Sequence, residues 1–266
     1  MLRRRAVRLA AMVCVGLATA TAAGAQRGGG YFNSRTQVAR VDYNGRFTFT
    51  RLRYNGNGRG WGSNAWNHDY PQADLHLPKI LESLTAIEPN LEVSNILDLE
   101  DPEIFKNPIL YMWEPGGWRI TDEGAKNLRD FMLKGGFVVF DDFEADQWYN
   151  FESQFLRALP EAQFIELDPS QRLFHAFFEI REVPQIPSIN FYFGSGGQTS
   201  ERGSDSREPH ARAILDGHGH IMVLSTHNTD IGDAWEREGD NREYFDRFAT
   251  PGYAFGINVF IYAMTH

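Results

Sequence analysis

Asp141 and Asp142 end a short apolar run in the stretch "GGFVVFDDFEADQW", residues 135–148. Adjacent carboxylates in such a place can act as a general base, hold a hard cation or cap the next helix. Asp141 lies closer to the apolar run, where desolvation raises a carboxyl pKa. The following acids fail the EF-hand pattern, because Gln147 stands where that loop needs glycine and Ser153 where it needs glutamate. A divalent metal on Asp141 and Asp142 is therefore a minor reading, and no cofactor is expected. A second acidic stretch, "HNTDIGDAWE" at residues 227–236, adds His227, Asp230 and Asp233. Together with Asp141 or Asp142 these residue types could carry a hydrolytic general acid and base.

Four tryptophans, Trp66, Trp113, Trp148 and Trp235, each have an acid within three residues. An aromatic face beside a carboxylate suits a saccharide or a cationic ligand. The candidate ligand-binding residues are Tyr54, Trp66, Asp69, Trp113, Glu114, Trp148, Asp230, Asp233 and Trp235. The competing reading is that these tryptophans simply cover the ends of a sheet. Three other motifs are weaker. In "DGHGH", residues 216–220, Asp-Gly between two apolar runs reads as a hairpin turn rather than a zinc pair. In "NGNGRGWG", residues 55–62, Trp61 occupies a position that a phosphate-cradling loop gives to glycine, and no P-loop lysine follows. Gly194-Ser195-Gly196-Gly197 is not a G-x-S-x-G elbow.

The elements that must position these groups follow from periodicity. Phe47–Tyr54 alternates as a strand, although Arg51 and Arg53 on one face point to an edge or a crevice. Leu77, Ile80, Leu81 and Leu84 recur at helical spacing. Strands are expected around Leu91–Leu97, Pro108–Trp113 and Phe137–Phe140. Between the last two, Thr121 caps a helix that buries Ala125, Leu128 and Met132 and stops at Gly135-Gly136. Asn150–Leu159 reads as a helix, and Ile189–Phe193, Ala211–Leu215 and Ile221–Ser225 as strands. Phe245–Ala263 reads as a helix interrupted at Pro251-Gly252. Alternating strands and helices with short connections predict an α/β fold, a doubly wound and mostly parallel sheet sandwiched by helices, with an added hairpin in the C-terminal half. Ligands of such sheets bind beyond the carboxyl ends of the strands, which puts Tyr54, Trp113-Glu114 and Asp141-Asp142 on one rim.

Of 266 residues, 42% are hydrophobic, enough for one sizeable domain over residues 46–266. Residues 26–45 read as a flexible N-terminal arm. Residues 1–25 carry Arg3, Arg4, Arg5 and Arg8, then an apolar run and Ala23-Gly24-Ala25, the pattern of a signal peptide cleaved near Ala25. The expected location is the periplasm or the extracellular space. No stable membrane anchor is expected after cleavage, since the apolar run is short for a spanning helix. Cleavage moves the formal net charge from −9 to −13, because four arginines and no acid leave. So acidic a chain disfavours nucleic acid as a partner. Cys14, the only cysteine, leaves too, and no thiol nucleophile remains.

Six segments, "FTFTRLRY", "DYPQADLHL", "NPILYMWEPGGWRITDEG", "LRDFMLKGGFVVFDDF", "HNTDIGDAWE" and "GINVFIYAMTH", together resemble the bacterial domain-of-unknown-function family 4159. The resemblance implies a class I glutamine-amidotransferase-like, flavodoxin-like fold. In amidotransferases the turn after the strand corresponding to "GGFVVF" carries the nucleophilic cysteine; here it carries Asp141 and Asp142, so glutamine hydrolysis through a thioester is excluded. The family pattern also places a histidine and a proline shortly before Phe174, where this chain has Gln171 and Arg172, with His175 nearby. The expected function is binding of a polar small molecule, a saccharide among the candidates, in an acidic and aromatic crevice. A carboxylate- or metal-dependent hydrolase and a protein-interaction module with an unknown protein partner are the alternatives.

Overall fold

Among the described residues nine strands and seven helices form the frame: β1 (Thr50–Arg53), β2 (Asn55–Gly56), α1 (Gln72–Leu84), β3 (Asn95–Asp98), β4 (Ile109–Trp113), β5 (Trp118–Arg119), α2 (Asp122–Leu133), β6 (Phe137–Asp141), α3 (Gln147–Phe155), β7 (Ile165–Glu166), α4 (Ile189–Gly194), β8 (His210–Leu215), β9 (Ile221–His227), α5 (Ile231–Glu236), α6 (Arg242–Tyr244) and α7 (Thr250–Thr265). This computed structural model describes residues 40–56 and 65–266, which belong to one compact unit. The expected signal segment 1–25, the arm up to residue 39 and the glycine-rich loop from residue 57 to 64, with Trp61, lie outside the described residues.

The main sheet has seven strands in the order β3-β1-β4-β6-β9-β8-β7. The first five run parallel, whereas β8 is antiparallel to β9 and β7 to β8. Counted among the parallel strands alone, the order is 2-1-3-4-5, that of a flavodoxin-like layered fold. The order reverses between β1 and β4, where the crossovers leave to opposite faces and open a crevice. β8 and β9 form the added hairpin, turned by Asp216, whose Oδ1 accepts from the amides of His218 and His220 at 2.8 Å each.

The pleat divides the core in two. Ile109, Tyr111, Trp113, Phe137 and Val139 face α1, α5 and α7, and Leu110, Met112, Val138 and Phe140 face α2 and α3. Each central strand is therefore apolar on both faces, which is why it reads as an unbroken hydrophobic run. Thr121 caps α2 by accepting from Gly124 N at 2.9 Å, and Gly135 follows the helix at φ +92°. Among the described residues no helix is long and apolar enough to cross a membrane.

Two expectations are corrected, and the placing of Arg51 near a sheet edge or a crevice is sharpened. Ile189–Phe193 is helical, because Ser188 Oγ accepts from Phe191 N at 3.3 Å and caps it, and tertiary packing of Tyr192 outweighs the strand preference of its aromatics. Pro251 does not interrupt α7. The helical run is unbroken from Arg242 to Thr265, and the π-helical turn Phe245–Ala249 just before Thr250 accommodates the proline, whose missing N–H and ring an α-helical turn would not take. Arg51 lies on an interior strand, paired on both sides, and is fully buried. Its guanidinium is tolerated there because Nε and Nη2 donate to Asp74 of α1 at 3.1 and 2.5 Å, and Nη1 donates to the carbonyls of Trp66 and His68 at 2.9 and 2.5 Å. The Trp113 ring covers it, 3.7 Å from its centroid.

An unmatched charge here should be costly. Asp74→Leu alone is expected to lose about 3–5 kcal/mol of stability in urea denaturation, and the double variant Arg51→Met/Asp74→Leu distinctly less than the two single losses added together. Additive losses would show that the two side chains act independently.

Candidate functional site

Beyond the carboxyl ends of β4 and β6 lies a cleft of about 330 Å³. Seven of its twelve lining residues are acids: Asp69, Glu114, Asp142, Glu201, Asp230, Asp233 and Glu236. Arg237 supplies positive charge on its wall, and His68 adds an imidazole. The backbone aims several of these groups by an uncommon device. Glu114, Asp142 and Asn228 are each the first residue after a parallel strand, β4, β6 and β9, and each is left-handed, with φ of 47°, 61° and 63°. Asp69, before α1, has φ 61°. Such non-glycine residues are strained, and they persist only where the surroundings hold them. Glu114 is held from both ends: its N–H donates to Asp141 O at 3.0 Å, and Tyr54 Oη donates to its carbonyl at 2.5 Å.

The two adjacent aspartates have different fates. Asp141, the last residue of β6, points along the pleat into the protein and does not line the cleft. Its carboxylate accepts from Tyr111 Oη (2.7 Å), Thr226 Oγ1 (2.5 Å), Gly232 N (3.0 Å) and Ile231 N (3.4 Å). It thereby fastens the first turn of α5 to the sheet, and that helix carries Asp233 and Glu236. Asp142, turned outward by its left-handed backbone, reaches the cleft and caps no helix. Asp146 occupies the cap position of α3 without a side-chain hydrogen bond.

Electrostatically the cleft is crowded. Burial, followed by the charge of Glu114, pushes the Asp142 carboxyl well above its ordinary range. Burial, followed by Asp233 and Glu236, does the same for Asp69, and burial followed by Asp142 for Asp230. Asp230 caps α5 by accepting from Asp233 N at 2.8 Å. Asp233 is raised to about 7 by burial and by Glu236, although it accepts from Ile189 N at 2.9 Å and Tyr244 Oη at 3.2 Å. Burial works against a charge on His68, but its hydrogen bond to Glu114 prevails and raises its pKa. Among the described residues two groups offer ligand atoms close enough for one metal ion, within 4.8 Å of one another: His68, Glu114 and Asp142, and Asp69, Asp233 and Glu236.

Among the described residues, none of the expected aromatic side chains lines the cleft. Trp113 and Trp235 are 0% and 1% exposed, the former under Arg51 and the latter donating from Nε1 to Gly252 O at 3.1 Å. Trp66 and Trp148 pack against the α2–α3 face, where Trp148 carries the Arg212 guanidinium at 4.3 Å. None of the four lines the cleft. Tyr54 is buried and acts through its hydroxyl on Glu114. His227 also lies elsewhere, between Phe143 and Trp148, with Nε2 donating to Ala145 O at 3.1 Å and Nδ1 facing Arg212 Nη1 at 3.3 Å. Burial and then Arg212 push its pKa down to about 4, which keeps it neutral. His175 pairs with Glu179 at the surface, 2.7 Å away. The titratable lining residues missing from the sequence-based set are His68, Glu201, Glu236 and Arg237. Of these Glu236 had a signal, its i,i+3 spacing from Asp233 on α5.

Acids that keep their protons in the folded chain stabilise it at low pH, where the unfolded carboxyls are protonated as well. That stability is lost as pH rises through the folded values, about 6 for Asp141 and about 7 for Asp233, from ordinary values of 3.8. His227 runs the other way: its folded value of about 4 lies below the ordinary 6.5, so its share is lost as pH falls between the two. The carboxyls are more numerous. In chelator, the melting temperature should rise from about pH 8 to about pH 5, and His227→Phe should steepen the rise on the acid side. A melting temperature that climbs with pH over this range would refute the crowded-acid account.

No curated protein sequence matches the chain. The model of one family does, "Domain of unknown function (DUF4159)", over residues 48–264, a span that begins just before β1, ends within α7 and includes every acid of the cleft. The chain belongs to the DUF4159 family.

Proposed function

We propose that this chain binds a polar small molecule in its strand-end cleft, and that the apolar, arginine-led start exports it to meet that ligand outside the cytoplasm. The observation that carries the reading is the convergence of Glu114, Asp142 and Asp230, from the ends of three parallel strands, on one cavity of about 330 Å³. Two of them are held there in strained backbone, an arrangement that stability alone does not favour. A set of carboxyls that is part protonated and part ionised both donates and accepts hydrogen bonds. Hydroxyl and amine groups fit such a wall. Among the described residues no tryptophan lines that wall, so the groups there suit a polyol or amine better than a flat sugar face.

A hydrolytic reading has one observation of its own. Asp142 occupies the left-handed residue directly after β6, the turn at which an amidotransferase-like fold carries its nucleophile, and His68 and Glu114 stand beside it as a hydrogen-bonded pair. In that reading Asp142 is the base or nucleophile and His68 the proton donor.

A thermal-shift screen of polyols, amines and sugars tests the binding reading, since a ligand of the folded state raises the melting temperature by mass action. Polyols or amines should raise it, and Asp142→Asn should abolish the response. Asp141→Asn, by contrast, should lower the starting stability through the lost α5 anchor. A flat response across the panel would sink the proposal.

A further inference from the structure

We propose that Asp69, Asp233 and Glu236 form a binding site for a single hard divalent cation, of the magnesium, manganese or calcium kind, on one wall of the cleft. The three offer one ligand atom each within 4.8 Å of one another. An independent observation singles them out from acids in general. Asp69 is 91% buried, it faces the cleft, and its Oδ2 has no hydrogen-bond partner. A buried carboxylate oxygen without a donor is expensive, and a cation removes that penalty.

The surroundings fit the assignment. Asp233 and Glu236 lie three residues apart on α5 and so share a helix face, and Asp141 anchors the start of that helix to the sheet. Asp233 is held by Ile189 N and Tyr244 Oη on Oδ2, which leaves its Oδ1 to face the ion. Arg237 Nε stands 2.7 Å from Glu236 Oε2 and 3.8 Å from Asp233 Oδ1. An ion that displaces the protons held by Asp69 and Asp233 meets three carboxylates against one guanidinium, a net of two negative charges and the complement of a divalent ion. Every donor is a carboxylate oxygen, which favours hard cations over zinc or copper. Three protein oxygens do not complete the six to eight that such ions take, so the open positions face the cleft and are available to water or to oxygen atoms of a small molecule. The neighbouring His68, Glu114 and Asp142 set has an imidazole already bonded to Glu114 and has no orphaned oxygen, so it does not make the same case.

Isothermal titration with the metal alone tests the site without an organic ligand, so its result stands apart from the small-molecule reading. Manganese or calcium should bind the chelator-treated protein with one-to-one stoichiometry. Asp69→Asn and, separately, the less buried Glu236→Gln should each weaken it by at least about tenfold. His68→Gln should leave it within about twofold. The Mn²⁺ electron paramagnetic resonance signal of free ion reports the same loss if Asp69→Asn alters stability. No saturable binding, or binding that survives both carboxylate variants, overturns the proposal. Loss of binding in His68→Gln with retention in Asp69→Asn also overturns it and moves the ion to the histidine set.

Discussion

One guanidinium, that of Arg51, holds the position of everything on the near side of the cleft. It leaves an interior strand and binds both oxygens of Asp74 on α1, so that helix and sheet cannot shift independently. The same group takes the carbonyls of Trp66 and His68, and the loop that presents His68 and Asp69 is thereby tied to the register of β1. Trp113 lies flat over it and shuts out water. Removing an ion from water carries a large penalty, and it is met here by the Asp74 carboxylate, by the two carbonyls and by the Trp113 ring. The arrangement specifies geometry more than it adds stability.

Asp141 plays the corresponding part on the far side. Two backbone amides of α5 and two hydroxyls converge on its carboxylate, so the helix bearing Asp233 and Glu236 is fastened to the end of β6. The cleft therefore hangs between two internal polar anchors, one cationic and one anionic, neither of which touches its contents. Adjacent aspartates in the chain thus divide the labour of a site: Asp141 supports it and Asp142 enters it. That division follows from the pleat, which directs Asp141 to the α5 side, and from the left-handed turn that follows.

Much of the frame was legible because its signals are local. β4 and β6 are uninterrupted apolar runs, α2 has its threonine cap and closing glycines, and the α/β alternation predicts the layered sheet. The rule for open sheets placed Glu114 and Asp142 on one rim, and the structure brings them to one cleft with Asp69, Asp230 and Asp233. What stayed hidden depends on distant partners. The presence of Arg51 on a strand was visibly anomalous, but nothing local names Asp74 as its counter-charge. A tryptophan beside an acid has the same spelling whether its ring faces a ligand or, like Trp235, the interior. His68 sits in a loop without periodicity, and the strand-like composition of Ile189–Phe193 gave no sign that Ser188 would cap it as a helix.

The left-handed residues at the strand ends carry an evolutionary consequence. A backbone with φ near +60° is easiest for glycine or asparagine, and a side chain of another kind there costs about 1 kcal/mol or more. After β9 the chain has settled on the easy choice, Asn228, whose amide also closes the turn by accepting from Ala145 N at 2.9 Å and donating to Glu208 O at 2.8 Å. After β4 and β6 it has not, and Glu114 and Asp142 remain. Drift under selection for folding alone would move these two positions toward glycine or asparagine. Across DUF4159 sequences, acids retained at both positions would mark lineages in which the cleft is still in use, and glycine there would mark lineages that have abandoned it.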